Sequence, residues 1–213
     1  MRAQPGSTRE RLLDAAEDLF ARHGFAGASM RDIGQALGIA NASIVYHFPS
    51  KRKLYAAVLG RIADSAARVV DAGGEESGGA AAQVHLLVER FLDWGEAHPG
   101  YVQLILREML DNPARISRVR TLYLAHVVRA MRLPLERAAH AGLLPGMDPG
   151  SLMLQLIGSI SYFIVAAPTV GRITGSEDLG RLRQDFRRTV HRVVAACLAA
   201  PPAEDAGSLA GRA

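Results

Sequence analysis

Residues 27–48 of the chain read GASMRDIGQALGIANASIVYHF and contain two short helical segments that a tight turn separates. Ser29 can cap the first segment, and Asp32 stands at its third helical position, as in a capping box. Gly38 provides the left-handed residue that ends a helix, and the second segment starts just beyond it. Two short helices joined in this way predict a helix-turn-helix, in which one helix crosses a phosphate backbone and the next enters the major groove.

The segments on either side of this stretch complete a small helical domain. An amphipathic helix is predicted from Thr8, which can cap it, to about His23. On the other side, Ser50 can cap a helix that runs over about Lys51–Val70. The pattern predicts a three-helix DNA-binding domain in residues 1–55.

The composition is that of a folded, weakly basic protein. Apolar residues make up 49% of the 213 residues, enough for a core, and the formal net charge is +4. A modest basic excess allows nucleic-acid binding without requiring it. The single cysteine, Cys197, excludes an internal disulfide and any CxxC site, and the N-terminus lacks the apolar stretch of a signal peptide. We therefore expect a cytoplasmic protein.

Residues 56–200 are predicted to form a helical body, because apolar residues recur there at helical spacing. The predicted elements are a Gly/Glu/Ser-rich loop at 71–79, a long helix over 113–140 with a kink at Pro134, helices over about 150–167 and 177–199, and a disordered tail at 201–213. No segment has convincing strand periodicity, so the predicted fold class is all-α.

One uncharged segment, residues 151–171, is long enough to span a bilayer. It contains polar residues and a helix breaker, among them Gln155, Ser159 and Pro168, and it lies within an otherwise amphipathic chain. We expect an interface helix and no membrane association. Together with the helix at 177–199 it predicts an antiparallel pair that forms the seam of a homodimer. The alternative is that both helices bury only the core of the monomer.

Three linked motifs lie in a fixed order between residues 8 and 60. They are RLLDAA at 11–16 with LF at 19–20 and GF at 24–25, SMRDIG at 29–34 with LGI at 37–39, and YHFPSK at 46–51 with LY at 54–55. In this order they resemble the TetR family of transcriptional regulators. The resemblance implies a homodimer whose C-terminal helical bundle binds a ligand and dimerises. That bundle varies widely in the family, so the resemblance does not name the ligand.

Two positions depart from the family pattern. The family usually has Ser, then Lys or Arg, then Gly or Ala, where this chain has Ala40, Asn41 and Ala42. The usual cap serine is lost, a cationic side chain is absent, and Asn41 can cap the helix instead. The family often has Tyr where Val45 stands, which exchanges one packing or contact residue for another.

The residues predicted to contact DNA are Ser29, Arg31, Asn41, Ser43, Tyr46, His47 and Lys51. Asn41 and Ser43 open the recognition helix, where Asn can bond an adenine edge and Ser several bases; Asn41 alternatively only caps the helix. By resemblance Tyr46 and His47 reach phosphates, unless their rings pack against the next helix. Lys51 stands at a helix N-terminus, where the helix dipole does not favour a cation, and its position fits a nearby phosphate.

Ser29 and Arg31 open the helix that crosses the phosphate backbone, where Arg31 reaches the DNA or pairs locally as a surface charge. In residues 1–60, Lys and Arg exceed Asp and Glu by three. Because this excess is small for one copy, affinity for double-stranded DNA should need a dimer. Two recognition helices would then meet the half-sites of a palindromic operator about 34–36 Å apart.

The inner helices of the body are expected to line a pocket for a small-molecule effector. Candidate lining residues are Trp94, Tyr101, Ile105, Tyr123, His126, Met153, Ile157 and Phe163. This mixture of aromatic, methionine and few polar groups fits an apolar or aromatic molecule. Each of these residues alone is alternatively part of the core.

Catalysis has little support in the sequence. No Gly-rich phosphate loop and no GxSxG motif occur, and the seven histidines lack metal-ligand spacing. Glu89 and Asp93 stand four residues apart, which we interpret as a solvated helix face. We predict no cofactor, no metal and no enzyme, but a ligand-responsive repressor that its effector releases from DNA. A small-molecule-binding protein with a vestigial DNA motif and a helical enzyme are the alternatives.

Overall fold

The computed structural model describes residues 7–71, 78–111, 121–175 and 178–199, and the regular structure in these ranges is helical throughout. The helices are α1 (Thr8–Gly27), α2 (Met30–Leu37), α3 (Asn41–His47), α4 (Lys51–Asp71), α5 (Ala80–Ala97), α6 (Pro99–Asp111), α7 (Thr121–His140), α8 (Pro149–Thr174) and α9 (Leu179–Ala199). The predicted all-α class is confirmed. The predicted tail at 201–213, most of the loop at 71–79 and the first part of the helix over 113–140 lie outside the described residues.

The start of α1 differs from the prediction. Ser7, not Thr8, is the cap: its hydroxyl accepts from the backbone N–H of Glu10, and the Glu10 carboxylate accepts from the Ser7 backbone N–H at 3.0 Å. This reciprocal pair satisfies two N–H groups at the helix start, which is why the serine three residues before a glutamate is the cap. Gly24 has φ 70°, and one further turn follows it to Gly27.

The turn between α2 and α3 is as predicted. Ser29 caps α2 in a capping box with Asp32, and Gly38 ends it in the left-handed conformation at φ 66°. Gly34 lies against α3 so closely that a Cβ atom there would stand 2.9 Å from Cδ1 of Ile44 and 3.0 Å from the carbonyl oxygen of Ile39. Only a residue without a side chain allows this approach of the two helices.

The chain divides into two compact units. The first contains residues 1–67 and 97–125, and the second contains residues 68–96 and 126–213. In the first unit α1 packs against α2 and α6, and α2 packs against α3. Helix α6 therefore belongs to the unit that holds the helix-turn-helix, a grouping that local sequence patterns do not indicate.

Polar side chains join α4 to its neighbours in the first unit. Arg61 on α4 forms ion pairs with Asp14, at 2.5 Å, and with Glu17, both on α1. The buried hydroxyl of Tyr55 on α4 donates a hydrogen bond to the carboxylate of Glu108 on α6. These contacts hold α4, which starts just after α3, against α1 and α6.

The second unit has a polar seam between α5 and α9. Arg187 on α9 pairs with Glu89, with Asp93 at 2.8 Å and with Glu96 at 3.2 Å. His191 bonds the Glu89 carboxylate through Nε2, at 2.6 Å. Glu89 and Asp93 are partly solvated, as interpreted from the sequence, but that interpretation missed their ion pairs with Arg187. Their partner is about a hundred residues away in sequence, so no local spacing could indicate it.

A histidine pair extends the same seam. The Nδ1 atoms of His85 on α5 and His191 on α9 lie 3.0 Å apart, and the two rings are stacked with centroids 5.3 Å apart. At this distance one Nδ1 atom carries a hydrogen and donates a hydrogen bond, and the other Nδ1 atom accepts that bond. The pair thus joins the two helices next to the Glu89–Arg187 contact.

The close approach at Gly34 gives a first prediction. Replacing Gly34 by Ala should cost about 1–3 kcal/mol of unfolding free energy, because the added methyl overlaps Ile44 and the Ile39 carbonyl. Urea unfolding followed by circular dichroism measures this loss. Gly60→Ala on α4 is the matched control, since a Cβ there meets nothing within 4 Å, and it should be neutral or stabilising. Equal stability of the two variants would contradict the packing described.

Arg187 gives a second prediction. Arg187→Gln leaves three carboxylates without their shared cation and should lose about 1–3 kcal/mol of unfolding free energy near neutral pH. Arg188→Gln is the control, because Arg188 is exposed and pairs only with Asp185 on its own helix among the described residues; its effect should stay within about 0.5 kcal/mol.

The same variant should have a pH signature. Burial alone would raise the pKa of Glu89, but hydrogen bonds from His191 and Arg187 outweigh it and lower that pKa below 4.5. A lowered carboxyl pKa stabilises the fold above pH 4.5, and this stabilisation is lost as pH falls through the lowered value. The difference between the wild type and Arg187→Gln should therefore shrink in acid. A difference that does not depend on pH would exclude the ionic explanation.

Candidate nucleic-acid interface

Helix α3 has one buried and one exposed face. Ile44 is fully buried, and the backbone N–H of Phe48 bonds its carbonyl at 2.8 Å. On the opposite side, Asn41, Ala42, Val45 and Tyr46 are all exposed. Asn41 and Val45 are four residues apart, as are Ala42 and Tyr46, so the two pairs lie side by side on one exposed face of the helix. Ile44 therefore belongs to the core and does not face solvent.

Asn41 does not cap α3. It is the first helical residue, and Ala40 precedes it as the cap residue without any side-chain hydrogen bond. The alternative that Asn41 serves only as a cap is therefore wrong, since its exposed amide is not used in that role. Ser43 is half-buried, and its backbone N–H bonds the Ala40 carbonyl at 3.0 Å.

The aromatic pair at the end of α3 is split between solvent and protein. The side chain of Tyr46 is 84% exposed, so its ring does not pack against the next helix as the alternative supposed. His47 is half-buried, and its ring meets that of Tyr46 edge-on, with centroids 5.2 Å apart. Tyr46 therefore presents its hydroxyl to solvent on the same face as Asn41.

At the start of α2, Ser29 is engaged within the protein. Its hydroxyl accepts from the backbone N–H of Asp32 at 3.1 Å and donates to the Asp32 carboxylate at 2.7 Å. The side-chain hydrogen bond from Ser29, followed by that from its backbone, lowers the pKa of Asp32. Arg31 beside them is exposed, and no ion pair to it occurs among the described residues. Of the two predicted contacts on α2, Ser29 has a clear structural role and Arg31 is the accessible cation.

Lys51 is folded back onto the first unit. Its ammonium lies 3.4 Å from the carbonyl oxygen of Ala26 and 4.5 Å from the centroid of the Phe25 ring. This contact holds the first turn of α4 against the end of α1. The ammonium has three N–H donors, so the contact with Ala26 leaves others for an anion.

Arg9, a cation that was not among the predicted DNA contacts, lies near the C-terminal end of α3. The guanidinium carbon of Arg9, on α1, is 5.2 Å from the centroid of the Phe48 ring. Arg9 is exposed, and Phe48 is the residue at which α3 ends. The two positions are too far apart in sequence for spacing to reveal the contact.

The predicted pocket residues are divided between the two units. Tyr101 and Ile105 belong to the first unit, whereas Trp94, Met153, Ile157 and Phe163 belong to the second. Tyr101 stacks on His98 with ring centroids 4.7 Å apart, and Phe163 stacks on Phe186 at 3.8 Å. The side chains of Tyr123 and His126 lie outside the described residues.

The second unit contains a small apolar hollow with a cavity volume of about 10 Å³, part of which is open to solvent. Its lining residues are Leu87, Val88, Phe91, Met131, Leu135, Met153, Leu156 and Ile160. Of the predicted pocket residues, only Met153 is among them. Helical periodicity identified the apolar faces but not which positions leave space between them.

Comparison with known proteins identifies the motif. Residues 12–58, from the core of α1 to the middle of α4, match the model of bacterial regulatory proteins of the tetR family. The helix-turn-helix segment of this chain therefore belongs to the tetR family. Its DNA-binding regulators are not enzymes, and no group of three or more potential metal ligands occurs among the described residues.

Relatives of this TetR-family chain match over most of their length. The HTH-type transcriptional regulator RutR of Escherichia coli (strain K12) is 27% identical over 187 residues, which are 87% of this chain and 86% of RutR. The HTH-type transcriptional repressor SCO4008 of Streptomyces coelicolor is 29% identical over 197 residues, 89% of this chain and 96% of SCO4008. A tetR-family regulatory protein from Rhodococcus RHA1 shares the fold with a TM-score of 0.72 at 15% identity, covering 89% of this chain and 98% of the other.

Helix α8 is the one described helix that is long and apolar enough to cross a membrane by length and composition. Its most apolar stretch has a mean hydropathy of 1.6, and a third of that stretch is buried within the protein. The core helix of a soluble protein passes the same test, so length and composition do not make α8 a membrane span.

Proposed function

We propose that this TetR-family chain is a cytoplasmic repressor that binds a palindromic operator as a homodimer and leaves it when a small apolar or aromatic molecule binds. The observation that carries the proposal is the exposed face of α3, which lies opposite the buried Ile44 within a segment that matches a family of DNA-binding regulators. In this proposal residues 1–55 bind DNA, and residues 56–200 bind the effector and the second copy of the chain.

The DNA contacts divide into base-reading and phosphate contacts. Asn41 and Ser43 present short polar side chains from the first turn of α3 and are suited to base edges. Tyr46 and His47 at its end, with Arg31 on α2, are suited to phosphates. Lys51 and Ser29 hold the backbone that presents these groups. They would also supply N–H groups near the phosphates of the same DNA strand.

The exposed face of α8 supports the homodimer. Leu154, Tyr162 and Ile173 are 66%, 69% and 79% exposed, and their spacing places them along one stripe of the helix. Gly158 lies between them, and a Cβ there would meet nothing within 4 Å, so another helix can approach closely. A long apolar stripe of this kind is rare on the surface of a monomer. A second copy of α8 with its neighbour α9 would cover it in a four-helix arrangement.

The hollow in the second unit supports a small apolar effector. All eight of its lining residues are apolar, but its cavity volume of about 10 Å³ is that of roughly one water molecule, so the hollow must enlarge to admit an effector. Met131 and Met153 are flexible enough to enlarge it when a molecule enters. The chemistry of the lining excludes a strongly charged ligand there, since nothing would pair with its charge.

Release from DNA would follow from a shift between two arrangements of the dimer. Helix α4 is continuous, with its first residues in the first unit and residues 68–71 in the second. A ligand that binds one arrangement more tightly would move α4 as a lever and change the spacing of the two recognition helices. The shift cannot exceed the ligand's differential affinity for the two states.

The proposed base contact is tested with Asn41→Ala. A duplex selected from random DNA should bind the wild type with an affinity that falls steeply with salt. Asn41→Ala should weaken this specific binding by about 5- to 150-fold, the range of a good bidentate base contact, and should leave non-specific binding unchanged. Gln103→Ala on α6 is the control, because it removes the same amide outside α2 and α3. If no duplex shows a specific, salt-dependent shift, the repressor proposal fails.

The dimer is tested with Leu154→Glu. A carboxylate on the exposed stripe of α8 should convert the dimer to a monomer in sedimentation and reduce affinity for the full palindrome to that for one half-site. Leu110→Glu, at an exposed leucine of α6 outside α8 and α9, makes the same change and should remain dimeric. A wild-type protein that stays monomeric at micromolar concentration would contradict the proposed seam.

A further inference from the structure

The exposed face of α3 has an unusual chemical character. Of its four side chains, Ala42 and Val45 are apolar, Asn41 and Tyr46 are neutral and polar, and none is charged. Val45 remains 43% exposed, although Ile44 beside it is fully buried. Val45 is not required to fill the core, and the contact of its aliphatic side chain with water is unfavourable. Its exposure indicates a surface that meets an apolar group on a partner.

The major groove offers one apolar group on its base edges. Guanine presents two acceptors, which arginine and lysine read best, and adenine presents an acceptor beside a donor. Thymine alone presents a methyl group, at C5. Because the exposed face of α3 carries no cation, it lacks the usual guanine contact. Its aliphatic side chains match the thymine methyl instead.

The spacing of the face agrees with contact to neighbouring base pairs. Ala42 and Val45 are three residues apart, so they are separated by about 4.5 Å along the helix axis. Successive base pairs are about 3.4 Å apart. Asn41 lies one turn before Val45 on the same face and can bond an adenine through its N6 and N7 edge. All three residues therefore suit A·T pairs.

We propose that Val45, with Ala42 beside it, recognises thymine C5-methyl groups, so that each operator half-site contains adjacent A·T pairs under this face. The inference rests on the proposed DNA-binding function and adds the base identity to it. It also explains the departure at this position. A valine where the family often has tyrosine replaces a polar ring with a short aliphatic side chain of the size of its target.

The test removes the methyl from the DNA rather than from the protein alone. In the selected operator, each thymine is replaced in turn by deoxyuridine, which keeps the base pair and lacks only the C5-methyl. At one or two positions per half-site, wild-type affinity should fall about fourfold, the effect of losing the burial of one methyl group. In Val45→Ala, deoxyuridine at the Val45 position should have less than about a twofold effect, because the contact is already lost.

Two controls keep the result interpretable. Val128→Ala, at an exposed valine of α7, removes the same two methyl groups outside the interface and should retain the full deoxyuridine effect. Val45→Thr keeps one methyl and the branched shape, so it should retain part of that effect. A 5-methylcytosine placed at the sensitive position should bind the wild type more tightly than cytosine there, because it restores the methyl within a G·C pair.

The outcomes separate the inference from the function it rests on. Specific binding that survives deoxyuridine at every position overturns methyl recognition and leaves the repressor proposal standing. A deoxyuridine effect that is equal in the wild type and Val45→Ala assigns the methyl contact to another residue and overturns the role of Val45. A protein that binds no duplex specifically overturns both.

Discussion

The exposed face of α3 depends on the contact between Gly34 and Ile44. Because Gly34 has no side chain, α2 and α3 approach closely enough for Ile44 to be fully buried. The burial of this one side chain fixes the rotation of a seven-residue helix, which has too few hydrogen bonds to be stable alone. That rotation decides which residues face outward. Gly34, which lies outside this face, thus determines that Asn41, Val45 and Tyr46 are exposed.

Local sequence patterns were sufficient for the N-terminal helices. The Ser29–Asp32 capping box and the left-handed Gly38 are signals within a few residues, and both are present where the sequence placed them. The cap of α1 was misplaced by one residue, because Ser7 and Thr8 are both good caps and only the pairing with Glu10 decides between them. The cap of α3 was misassigned because the sequence does not reveal that its first turn has no side-chain cap at all.

Contacts between distant segments were beyond reach of the sequence. Nothing near Glu89 indicates Arg187, and nothing near Arg9 indicates the ring of Phe48. The same limit explains the predicted pocket. Helical periodicity gives the apolar face of each helix, but a hollow depends on how the side chains of α5, α7 and α8 fail to fill the space between them. Met153 alone was common to the predicted set and the lining of the hollow.

The histidine pair makes the seam of the second unit a proton-dependent joint. Burial, and then the nearby His191, lower the pKa of His85 below 6.5. On folding, His85 must therefore lose a proton that it holds in the unfolded chain. Acidification from pH 6.5 downward accordingly shifts the folding equilibrium away from the folded unit. The Glu89 carboxylate bonds His191 through Nε2, and the same carboxylate pairs with Arg187. Protonation of His85 would thus weaken the contact between α5 and α9.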